Sequence, residues 1–163
     1  MKLRSVLRRR RPSGDGGSAL IEFVGVSVLL LLPLVYLLLT VFAVQRGAFA
    51  ASEAAREAGR AFATAPSSGV GVERARYAAS LAFADQGLTA PIALRFTAPG
   101  AGCGSGAAEV TPELTPGAAY TVCVAQQIYL PFADKGLFAH RVPARVQVVG
   151  RFALTVDTYR AAA

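Results

Sequence analysis

The sequence predicts an α+β chain: a long N-terminal transmembrane helix that extends into a small extracytoplasmic domain with a second helix and a short antiparallel sheet. Three observations carry this reading. Phe23 to Val44 is a run of 22 residues without a charge, which as a helix rising about 1.5 Å per residue covers roughly 33 Å, enough for a hydrocarbon core. The run continues into Ala-rich sequence with no helix breaker before Pro66. Beyond residue 90 the apolar periodicity changes from helical to alternating.

Residues 1 to 17 form a basic, Gly-rich leader with little apolar surface to bury. It holds Lys2, Arg4, Arg8, Arg9, Arg10 and Arg11 against Asp15 alone, a net +5, whereas the other 146 residues carry 11 basic and nine acidic side chains, a net +2. The basicity therefore belongs to the leader, and no nucleic-acid partner is expected. Arginines beside a spanning helix set orientation instead, placing the N-terminus in the cytoplasm and the C-terminal domain outside. The chain is expected in the cell membrane as a single-pass protein, with membrane lipid as a partner.

Residues 18 to 64 read as one helix. Ser18 can cap its start, and Ala, the best helix former, dominates QRGAFAASEAAREAGRAFATA. Pro33 removes one helical hydrogen bond and predicts a kink. In the outer portion, Glu53 with Arg56 and Glu57 with Arg60 stand at i,i+3 spacing and can pair. Gly47, Ala51, Ala54, Ala55, Ala58 and Gly59 leave a face of little bulk, which suits either close approach of another helix or a solvated Ala-rich surface.

A cleaved secretory signal is the rival to a retained anchor, since Ala48-Phe49-Ala50 offers an A-x-A pattern. The apolar run is longer than the roughly 7–15 residues of a signal h-region, and Arg46 interrupts it before that site. The anchor is the better reading.

Residues 65 to 163 form the small extracytoplasmic α+β domain. Ala65-Pro66-Ser67-Ser68-Gly69 ends the first helix. Residues 72 to 85 follow as a second, with Val72, Ala75, Ala79, Ala82 and Phe83 on one face and Gly87 as its stop. Ala93 to Thr97 is the first candidate strand. Residues 120 to 130 are the second, with Val122, Val124, Ile128 and Leu130 on one face and Gln126 interrupting it. In the third, Val146, Val148, Phe152, Leu154 and Val156 oppose Arg145, Gln147, Arg151, Thr155 and Asp157.

The only cysteines, Cys103 in a Gly/Pro-rich loop and Cys123 in a strand, both fall in the predicted exterior part. An oxidising compartment favours their pairing, which is worth on the order of 3 kcal/mol for a loop of about 20 residues. They are too few for a zinc site with the single, distant His140, which reads as a solvated loop residue. The carboxylates Asp85, Glu109, Glu113, Asp134 and Asp157 are dispersed in turns and on polar faces. No phosphate loop, dinucleotide fingerprint or HExxH motif is present, so neither a cofactor nor enzymatic activity is expected.

Glu22 is the exception to this plain chemistry, because a carboxylate entering hydrocarbon costs about 3 kcal/mol and calls for a partner. The bland account sets it near the first helical turn, where the helix dipole favours a negative charge.

The stretch Gly17-Ser18-Ala19-Leu20-Ile21-Glu22-Phe23, behind a basic leader and ahead of the apolar run, resembles the prepilin leader of type IV pilin-like proteins. With Phe23, the single long helix, AASEAAREAGRAFA and a small domain ending near VDTYR, the chain is most similar to the TadE-like pseudopilins of tight-adherence (Flp) pilus systems. The resemblance is closest over residues 14 to 64. It implies cleavage after Gly17 by a prepilin peptidase, with Ser18 as the first mature residue and Glu22 as the fifth. It also implies that Glu22, with Phe23 beside it, sets assembly and register by receiving the new α-amine of Ser18 from another subunit. The further partners implied are other pilin or pseudopilin subunits and the tight-adherence secretion machinery, with incorporation into a surface pilus as an outcome. Ser18 departs from the bulky apolar residue common in major pilins, and a cut after Gly16 would make Glu22 sixth. The alternative is a bitopic envelope protein whose exterior domain is a protein-binding module.

Overall fold

In a computed structural model, which describes residues 18–131 and 145–160, the chain is α+β. Its elements are α1 (Ser18–Ala63), α2 (Ser68–Asp85), β1 (Ile92–Thr97), β2 (Ala119–Tyr129) and β3 (Arg145–Thr155). The leader, Asp134 and His140 lie outside the described residues.

α1 is one continuous helix of 46 residues, and Pro33 lies inside it without ending it. Its richest 18-residue window has a mean hydropathy of 2.6 and none of that window is buried, so the helix is long and apolar enough to cross a membrane. The chain divides into two compact units, Met1–Leu38 and Leu39–Ala163.

In the second unit the strands form an antiparallel sheet in the order β1-β2-β3. Val122 stands opposite both Phe96 and Phe152, and Val124 opposite Leu94 and Gly150, so one phase of all three strands shares a face. That face joins a single hydrophobic cluster with Ala50, Ala51, Ala54, Ala55, Ala58 and Phe62 of α1 and Ala75, Ala79 and Phe83 of α2.

The sequence raises two partners for the small-residue face of α1, another helix or solvent. The structure gives it the chain's own sheet. A Cβ added at Gly47 would meet Ile128 and Val148, one at Gly59 would meet Phe152 and Val122, and one at Gly150 would fall 1.8 Å from the Ala51 carbonyl oxygen. Backbone-close packing thus lets a sheet with few large side chains acquire a core from α1. The predicted pairs do form on the solvent side of the helix, Arg56–Glu53 at 3.7 Å and Arg60–Glu57 at 3.1 Å.

α2 begins four residues before the predicted Val72; Ser67, extended, stands at its N-cap position without a side-chain capping bond, and its carbonyl accepts from Gly71 N–H at 2.8 Å. Its end matches the sequence reading: Gly87 has φ 70°, and Gly87 N–H and Leu88 N–H donate to the carbonyls of Ala84 and Phe83, a Schellman arrangement. At the entry to β2, Thr115-Pro116-Gly117-Ala118 closes a turn with Gly117 at φ 77° and Ala118 N–H donating to Thr115 O at 3.0 Å, the signature of a type II turn.

Candidate processing and assembly segment

Glu22 is the fifth residue of α1 as described, and the first turn holds no acidic side chain. Ser18 and Glu22 are one i,i+4 step apart, about 6 Å along the axis on one side of the helix. Glu22 is exposed, and Phe23 is 73% exposed beside Leu20, Ile21 and Val24, an apolar girdle that no other described residues cover. Gly17 and the Ser18 side chain fall outside the described residues.

Cys103 and Cys123 are joined as a disulfide, with Cα atoms 5.5 Å apart and a sequence separation of 20. The bridge draws the loop after β1 across the sheet face opposite the helices. Arg95 donates from Nη2 to Cys103 O at 3.2 Å, and Gly100 N–H donates to Thr121 Oγ1 at 3.1 Å. Glu109 forms an isolated bridge with Thr97, and Val110 N–H donates to Phe96 O. Thr121, Cys123 and Ala125 are buried as a result, so β2 is covered on both faces over this stretch. The chemistry of the bridge is structural.

Two polar contacts have partners that the sequence does not reveal. Arg160 donates from Nη1 to Ala63 O at 2.7 Å and from Nη2 to Ala65 O, satisfying carbonyls left open where α1 ends. Its guanidinium charge also suits the negative end of the helix dipole. Gln126 occupies the core-facing phase of β2 and is 2% exposed. Its Nε2 donates to Ala90 O, while Oε1 is buried without a partner among the described residues.

Among the described residues no group of His, Cys, Asp and Glu is arranged to hold a metal ion. Among the described residues an open groove lies beside α2, lined by polar Glu73, Arg76, Tyr77, Ser80 and Thr89 and by apolar Ala84, Pro91 and Ile92. No protein-family model, curated protein or solved structure matches the chain.

Proposed function

We propose that the chain is a minor pseudopilin-like structural protein, anchored in the membrane by the apolar half of α1 and used to assemble a tight-adherence pilus or related secretion filament. It is not an enzyme in this reading. The observation that carries the proposal is the sequence spacing of Gly17, Ser18 and Glu22 directly ahead of an apolar run that forms one continuous helix, exposed among the described residues.

A carboxylate in hydrocarbon costs up to about 3 kcal/mol, and an α-amine released at Ser18 would add a second charge of opposite sign in the same layer. Pairing Glu22 of one subunit with the Ser18 amine of its neighbour offsets both costs, and parallel helices paired in this way are displaced by about 6 Å. The exposed girdle of Leu20, Ile21 and Phe23 supplies the apolar contact around the pair.

Glu22→Ala separates the two roles of the segment. Leader removal should continue, while recovery of the protein in sheared surface filaments, or of filaments that depend on it, should fall at least tenfold. Filament incorporation at the parental level would end the ion-pair mechanism.

A further inference from the structure

The contacts of α1 on its sheet fix direction as well as distance. Gly47 lies beside Ile128 and Val148, Ala51 beside Gly150, and Gly59 beside Phe152 and Val122. α1 therefore runs in the sense of β3 and against β2. The end of the sheet where β2 stops and β3 starts lies toward Leu39–Val44, the last six residues of the apolar run.

Tyr129 and Arg145 stand opposite each other at that end, with the Arg145 guanidinium carbon 5.1 Å from the centre of the Tyr129 ring. Tyr129 is one residue beyond Ile128, about 3 Å, and Arg145 is three beyond Val148, about 10 Å. At about 1.5 Å per helical residue, the pair sits level with roughly residues 40–45 of α1, where the charge-free sequence ends. Both side chains are exposed, and Tyr129 keeps 61% of its surface. On α1, Arg46 and Phe49 are exposed just past the same level. Among the described residues neither Arg46 nor Arg145 has a carboxylate partner, because the ion pairs there are Arg56–Glu53 and Arg60–Glu57.

We propose that Tyr129 and Arg145, together with Arg46, form an interfacial anchor that rests this rim of the compact unit on phospholipid headgroups. The inference depends on the membrane reading of α1 and goes beyond it, since a spanning helix alone needs no contact between sheet and lipid. An aromatic ring with a polar edge is suited to the headgroup layer, and a guanidinium stacked on it can reach lipid phosphate. Lipid is favoured over a protein partner because the pair lies level with the exposed end of the apolar run, where Leu39, Val41 and Phe42 are 44%, 42% and 62% exposed.

The chain contains no Trp, so single substitutions create unambiguous reporters. Phe42→Trp, Tyr129→Trp and Tyr159→Trp all replace exposed rings, the last 95% exposed and adjacent to Arg160 at the far end of α1. Ala63 is about 28 Å along the helix from Val44. The full chain is reconstituted in phosphatidylcholine vesicles, with and without phosphatidylglycerol, and quenched by a lipid carrying nitroxide at the headgroup. Tyr129→Trp should be quenched as strongly as Phe42→Trp, and more so with phosphatidylglycerol, while Tyr159→Trp should be unaffected. Adding Arg145→Gln to Tyr129→Trp should remove the phosphatidylglycerol increment; an unchanged increment would overturn the assigned role of Arg145. Quenching of Phe42→Trp without Tyr129→Trp would overturn the anchor and leave the spanning helix standing, whereas an unquenched Phe42→Trp would remove both. Shielding of Tyr129→Trp that appears only as protein is crowded into the vesicles would assign the rim to a second copy and overturn the lipid contact.

Discussion

Gly150→Ala tests how the compact unit acquires its core. The added Cβ would lie 1.8 Å from Ala51 O, 2.2 Å from Ala51 C and 2.7 Å from Ser52 N, all backbone atoms that no rotamer change can move. To regain even a 3.0 Å contact, α1 must retreat by about 1.2 Å from β3. A gap of about 0.5–1 Å already forfeits a quarter to a half of each dispersion well, and Ala50, Ala51, Ala54 and Ala55 all pack across this seam. Overpacking costs about 1–3 kcal/mol where side chains absorb it. With backbone in the way the expected cost is about 3 kcal/mol or more, a fall in Tm of roughly 10 °C.

Gly47→Ala should cost less. Its obstacle is the end of the Ile128 side chain, which can turn away, and the helix gains about 0.5–1 kcal/mol from losing a glycine. Gly69→Ala, with nothing within 4 Å, should be neutral to slightly stabilising. The assay is thermal unfolding of the full chain in detergent, followed by the near-UV circular dichroism of its tyrosines with the disulfide intact. A Gly150→Ala protein within about 1 kcal/mol of the parent, or more stable than Gly47→Ala, would refute the close-packed seam.

Three further outcomes follow from contacts on the same unit. Intact-mass analysis without reductant should show Cys103 joined to Cys123, and Cys103→Ser with Cys123→Ser should cost on the order of 3 kcal/mol; two freely alkylated thiols in exported protein would remove the staple. Arg160→Ala should destabilise by about 1–3 kcal/mol, because the carbonyls of Ala63 and Ala65 lose a charged donor, and an unchanged denaturation midpoint would show that water replaces it. Gln126→Glu should make stability depend on pH. Burial raises the carboxyl's folded pKa above the unfolded value of about 4.3, so the variant should approach the parent's stability below that pH and lose it as pH rises toward neutrality. A variant as stable at pH 7 as at pH 4 would mean that water reaches the site.

Much of the fold was legible from periodicity. The span of α1 follows from an apolar run that passes into Ala-rich sequence, and β3 from strict alternation over Val146, Val148, Phe152 and Leu154. The stripe of small residues was legible as a place of close approach, but a helix surface of Ala and Gly does not say what approaches it. The complementary signal was Gly150, in the core-facing phase of an otherwise branched and aromatic strand, where glycine marks another backbone near at hand. Pro66-Ser67-Ser68 was legible only as a terminator, because the same residues that end one helix can cap the next.

The rest depended on distance along the chain. Arg160 reaches carbonyls 95 and 97 residues away, and one arginine near a C-terminus has no pattern to reveal that. Gln126 broke an apolar face in sequence because its partner, Ala90 O, is a backbone group and invisible to side-chain patterning. The burial of both faces of β2 needed the covering loop to be seen in place, tied down through Cys103. For Glu22 the sequence supplied the residue, its spacing from Gly17 and the apolar run; the structure added its place on a continuous helix and the exposed apolar side chains around it.

N-terminal sequencing of the protein isolated from membranes of its native host tests the central claim most directly. The account predicts a mature chain that begins Ser18-Ala19-Leu20-Ile21-Glu22, which puts the carboxylate at the fifth position. A chain that keeps its Arg-rich leader, or one that begins near Ala51 after loss of the whole apolar run, would contradict it.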